Sequence, residues 1–112
     1  MKLRILTINV QNDEGDPRRL GLINSELRRL DPDIVAFQEV LRTGECDQLD
    51  ELLDGTDRHG THQAQAMAYA PPWADRYGQI RAATVAFDQP TDGVWASDHY
   101  GLVVDVDIGT GA

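Results

Sequence analysis

The sequence predicts an α/β fold. Three observations carry that expectation. The chain starts on an apolar run rich in β-branched residues, "LRILTINV" (Leu3 to Val10). A helical stripe follows it, and a second apolar run, "DIVAFQEV" (Asp33 to Val40), comes next. Strand, helix and strand in that order require two parallel strands in one sheet, because only a crossover can return the chain to the same end.

Each element has its own reason. Leu3–Val10 alternates loosely and reads as a buried strand. "QNDEGD" after it is a loop of acids, amides and glycine. Asp16 reads as a helix N-cap and Pro17 as the first helical residue. Leu20, Ile23, Leu27 and Leu30 then fall on one helical face, and Pro32 ends the helix. Cys46, Leu49, Leu52 and Leu53 suggest a short second helix with Gly55 as its C-cap. Thr61–Ala70 alternates polar and small apolar residues and reads as a third strand, followed by the loop "PPWADRYG". Ile80–Phe87 is a further strand, "DQPTDG" a turn, and Gly101–Ile108 the last strand. No repeat, low-complexity tract or linker divides the chain. The expectation is one domain over residues 1–108 with a loose tail at 109–112.

The chain has 112 residues, 41% of them hydrophobic and 26% charged, which suits one soluble globular domain. No apolar run is long enough to span a membrane. The first residues lack the pattern of a signal peptide, since Arg4 and Asn9 interrupt the apolar stretch. Cys46 is the single cysteine. Together these lead to the expectation of a reducing, cytoplasmic setting. Ten basic residues stand against 19 acidic ones, a net charge of −9. That balance disfavours tight nonspecific binding to nucleic acid, which requires Lys and Arg to neutralise phosphates. It leaves a phosphate-bearing substrate open, because a divalent cation can supply the positive charge locally.

Ligands of open α/β sheets bind at strand ends. Asn9 lies near the end of the first strand and Glu39 near the end of the second. Asp98 and His99 lie in "SDHYG", just before the last strand. If that strand runs antiparallel to the first, all four residues share one edge. An amide, two carboxylates and an imidazole would then meet, and hard oxygen donors suit Mg²⁺ or Mn²⁺. Each residue also has a plain reading. Glu39 can be a solvated strand end, Asn9 an amide satisfied by a nearby loop, and Asp98–His99 a polar surface turn.

"LRILTINVQ", "DPDIVAFQEV" and "SDHYGLVVDV" resemble, in order, the first, second and last signature blocks of the endonuclease/exonuclease/phosphatase family. These metal-dependent phosphoesterases include DNase I-like nucleases and inositol-phosphate phosphatases. The resemblance covers roughly residues 1–55 and 84–108. It implies that Asn9 and Glu39 hold the metal, Mg²⁺ or Mn²⁺. Asp98 would help with the metal or its water, and His99 would contact the scissile phosphate. Gln38, next to Glu39, either hydrogen-bonds around the metal ligand or serves the local backbone.

Central blocks of that family are missing. There is no Gly-Asp-Phe-Asn, whose Asp activates the attacking water. There is no Asp-Tyr pair ahead of the last block, which in relatives orients the His, so His99 is expected to lack its partner. "GTHQ" (Gly60 to Gln63) imitates the family's Thr-His block but comes too early, and His62 reads as a strand residue. The apparent junction lies between Tyr77 and Ala83. The resemblance therefore implies one half of a DNase I-like four-layer α/β/β/α sandwich: a mixed β-sheet covered by helices on one face. The other face should be apolar and uncovered, with Ile5, Val35, Phe37, Val85, Phe87 and Val103 among its residues. A homodimer through that face is the expected remedy. Two functions follow. One is a divalent-metal-dependent phosphoester hydrolase acting on a phosphoester-containing substrate, weak or inactive alone. The other is a non-catalytic truncated relative acting as a binding or assembly module.

Overall fold

The structure, a computed structural model, describes residues 1–60 and 78–108. Its elements are β1 (Lys2–Asn9), α1 (Arg19–Leu30), β2 (Ile34–Gln38), α2 (Gln48–Leu52), β3 (Gly78–Ala86) and β4 (Gly101–Ile108). The strand expected at Thr61–Ala70, with His62, lies outside the described residues. The four strands form one mixed sheet in the order β2-β1-β4-β3. β1 runs parallel to β2, in register from Ile5 opposite Ile34 to Asn9 opposite Gln38. It runs antiparallel to β4, with Leu6 opposite Val103. β3 pairs antiparallel with β4 and carries an irregularity between Ile80 and Ala82.

Side-chain alternation sorts the sheet into two faces. Leu6, Ile8 and Val10 turn toward α1 and are at most 1% exposed. The apolar stripe of α1, Leu20, Ile23 and Leu27, packs on them, and Leu52 of α2 completes the core. Val35, Phe37 and Val103 belong to this helix-covered face, and Phe87 is buried just past β3. They were expected on the open face, and strand register corrects that: Leu6 opposite Val103 and Ile8 opposite Phe37 put them with the core. Ile5 and Val85 do lie on the open side, with Ile34 and Leu102. Ile34, Val85 and Leu102 are 50%, 49% and 40% exposed.

The ends of the helices differ from expectation. α1 begins at Arg19, and Asp16 does not cap it. The Asp16 carboxylate instead accepts hydrogen bonds from the backbone and guanidinium of Arg18, which pull its pKa down to about 2. Asp31 ends α1 in the left-handed region (φ 46°) and donates its N–H to Leu27 O, with fully buried Pro32 behind it. α2 is shorter than its leucine spacing suggests. Its N-cap is Asp47, whose carboxylate accepts from Leu49 N–H, and Cys46 stays outside and exposed. Its C-cap is Leu53, so Gly55 (φ 72°) turns the chain two residues later instead of capping. Asn24 of α1, buried, donates to Leu52 O and Asp54 O at 2.9 and 2.8 Å and so pins α2 to α1. Among the described residues no helix is long and apolar enough to cross a membrane.

Candidate functional site

Parallel pairing puts the C-terminal ends of β1 and β2 on one edge, and antiparallel pairing brings the start of β4 to the same edge. Asn9, Glu39, Asp98 and His99 therefore lie along one rim. This is the arrangement that the sequence made conditional on an antiparallel last strand.

The rim is knitted by hydrogen bonds. Val10 N–H donates to Gln38 O and Asn12 N–H to Glu39 O, both at 2.9 Å, which carries the β1–β2 pairing past the strands. Asn9 Oδ1 accepts from Gln11 N–H at 2.9 Å. That bond helps hold a sharp turn, since Gln11 and Asn12 both sit at positive φ (63° and 47°), and Glu39 across from them does too (56°). Left-handed backbone costs a non-glycine residue on the order of 1 kcal/mol, so three such residues at one edge concentrate strain there. Gln38 spends its amide on Thr7 Oγ1 and Ala36 O, the local role.

The Ser97–His99 turn is fastened to the end of β1. The Ser97 hydroxyl donates to Asn9 O at 2.5 Å and accepts from His99 N–H at 3.2 Å. Asp98 N–H donates to Gln11 Oε1 at 2.9 Å. The Asp98 carboxylate lies 2.6 Å from His99 Nδ1. His99 thus does have a carboxylate partner, contrary to expectation, and it is the adjacent residue. The His99 hydrogen bond holds the Asp98 carboxyl below the usual carboxylate range, against a smaller opposing effect of desolvation. Both side chains are more than half exposed. The Glu39 carboxylate is exposed and has no partner among the described residues.

Sequence reasoning missed the residue that holds this edge together. Arg19 is 4% exposed and has no carboxylate partner among the described residues. Its Nη1 donates to Val10 O at 2.8 Å and Ala96 O at 3.0 Å, and its Nη2 to Asn12 O at 3.1 Å. One guanidinium thereby joins the end of β1, the loop after it and the chain leading into Ser97. Its Nε is buried without a partner. The signal was present: Arg19, Ile23 and Leu27 are four residues apart, so Arg19 shares the buried stripe of α1. Gln48 was missed as well. It donates to Asn12 O and accepts from Leu41 N–H, tying the loops after β1 and β2.

Beside Asp98 lies an open groove of about 560 Å³ lined by Gln11, Arg18, Arg19, Trp95, Ser97 and Tyr100. Trp95 and Tyr100 stack on each other there, ring centres 6.3 Å apart.

Asn9 and Glu39 offer an amide oxygen and an unengaged carboxylate on neighbouring strand ends, hard donors of the kind Mg²⁺ takes. Among the described residues no three His, Cys, Asp or Glu stand close enough to hold a metal together. The fit is therefore to an ion held by one or two protein oxygens, with water and substrate oxygens completing the shell, which is the usual habit of Mg²⁺. No protein-family model, no curated protein and no solved structure matches this chain.

Proposed function

We propose that this edge is a phosphoester-hydrolysing site of the endonuclease/exonuclease/phosphatase type, and that the sheet is half of that family's sandwich. The observation that carries the reading is the meeting, on one rim, of Asn9 and Glu39 with the Asp98–His99 pair. Asn9 and Glu39 would hold a divalent ion, Mg²⁺ or Mn²⁺. Bound there, such an ion polarises a phosphoryl oxygen and acidifies a water. Asp98 orients His99: with the Nδ1 proton directed at the carboxylate, Nε2 is left for the substrate. In its doubly protonated form His99 donates Nε2–H to a phosphate oxygen as charge develops on it. Ser97 and Gln11 fix the turn from which this pair projects. Strained backbone at Gln11, Asn12 and Glu39 is what a preorganised site tends to carry.

A second reading is a binding or assembly module without turnover. It is favoured by the self-satisfaction of the rim, where Asn9 Oδ1 and Asp98 Oδ1 already have partners within the chain. One experiment separates the two. Hydrolysis of bis(p-nitrophenyl) phosphate is measured with and without Mg²⁺, for the wild type and Glu39→Gln, alongside calorimetric Mg²⁺ titration. Metal-dependent turnover that falls at least about a hundredfold in Glu39→Gln supports the enzyme. Equal rates in both proteins refute it, and Mg²⁺ binding without turnover selects the module.

A further inference from the structure

The open face of the sheet is built like an interior. An antiparallel sheet with one solvated side alternates apolar residues inward with polar ones outward. Here the outward side is apolar as well, while the helix-covered side, apolar at its core, carries charge at one end. Lys2 and Arg4 on β1, and Asp105 and Asp107 on β4, pair across the strands on the helix-covered side. The opposite side presents Ile5, Ile34, Val85, Leu102, Val104 and Val106. No charged side chain is found on it among the residues whose side chains are described. Its polar members, Thr7, Asn9 and Gln38, gather at the corner next to the candidate site. In a chain of net charge −9, a sheet face with no charge among its described side chains is a surface meant to be covered.

Size selects the cover. Four strands about 4.8 Å apart make a face roughly 19 Å wide, and eight residues at about 3.3 Å extend it to roughly 26 Å. A packed helix, about 10 Å across, spans half that width. A second sheet of the same width spans all of it, and two twisted sheets stack aligned at about −30°. Two such faces enclose on the order of 1,000 Å² in projection, where specific interfaces begin. We infer that two copies of this chain pack open face to open face, as a two-fold dimer with a sheet-on-sheet core. With no charge among the described side chains of either face, the contact itself adds no like-charge pairs to the repulsion between two acidic molecules.

Sedimentation of the full chain across a concentration series tests this, with intermolecular methyl NOEs as a second measurement. The expected result is a dimer of about 25 kDa, twice the 12.4 kDa chain, with NOEs joining the methyls of Ile34, Val85 and Leu102 between copies. Val85 is half exposed, so Val85→Asp leaves the helix-side core intact. It places a carboxylate in the interface from each copy and weakens dimerisation by roughly a hundredfold or more. Circular dichroism establishes that the variant is folded. If Val85→Asp does not fold, the wild-type NOEs decide alone. A monomer at every concentration overturns the inference, as does a dimer whose NOEs arise from another surface or whose affinity Val85→Asp leaves unchanged.

Discussion

Replacing Arg19 by Met deletes a guanidinium that donates to four backbone carbonyls, those of Val10, Gln11 and Asn12 in succession and that of Ala96. The bonds to Val10 O and Ala96 O are buried. A buried acceptor left without its donor costs about 1–3 kcal/mol, so these two give about 2–6 kcal/mol. An opposing contribution exists. The native guanidinium is itself buried, with no carboxylate beside it and no partner for its Nε among the described residues. Met avoids that desolvation while filling much of the same volume. The balance is a loss of about 3 kcal/mol, a large share of the 5–15 kcal/mol typical of a domain. With a urea m-value of about 1.5 kcal/mol/M, the unfolding midpoint falls by about 2 M. Hydrogen exchange should locate the damage at the amides of Asn12 and residues 97–99, more than in β3. Arg19→Lys should recover little, because an ammonium cannot reproduce the fork that reaches segments on both sides. A midpoint shift below about 0.5 M, or a stabilised Met variant, would refute the reasoning. It would mean that the carbonyls find water and that the charge is a net burden.

Gly101 should not tolerate a side chain. A Cβ there would lie 2.7 Å from Cδ2 of the buried Phe87 ring and 3.2 Å from Thr7 O, so Gly101→Ala should cost about 1–3 kcal/mol in urea melts, and a neutral result would show that Phe87 moves freely. The Asp98 carboxyl, held low by the His99 hydrogen bond, should titrate by carbon-detected NMR below the ordinary value of about 3.9 and return to it in His99→Ala. A lowered folded pKa means that the pair's contribution to stability is fully present above about 3.9 and is lost as pH falls through the lower folded value. An unchanged midpoint in His99→Ala would sever the proposed pair.

The sheet edge was legible because strand pairing follows simple rules. The apolar runs at Leu3–Val10 and Asp33–Val40 with a helix between them leave only a parallel pair, and that places Asn9 and Glu39 together. α1 was legible from its stripe, while its start was misread because Asp16 binds Arg18 instead of the helix N-terminus. The two faces were confused for a physical reason. The strands carry large apolar residues on both sides, so composition does not separate Val35 from Ile34, and only register does. The hydrogen bonds of Ser97, Gln11 and Gln48 join residues up to 88 positions apart, and local pattern carries no trace of them. Nor does it carry the positive φ of Gln11, Asn12 and Glu39, since none of them is a glycine. Arg19 could have been found, as an inward-pointing charge on an apolar stripe.

The position of β1 in the sheet bears on how the chain is made. Its neighbours are β2, which follows at once, and β4, which begins at Gly101. During synthesis at about 5–20 residues per second, the β1–α1–β2 unit emerges first and waits on the order of ten seconds for β4. Throughout that interval the flank of β1 exposes a row of unpaired amides and carbonyls, the template on which nascent chains aggregate. High contact order is thus built into the topology. Refolding at dilute concentration should outperform refolding at high concentration, where neighbouring chains compete for the place that β4 is late to fill.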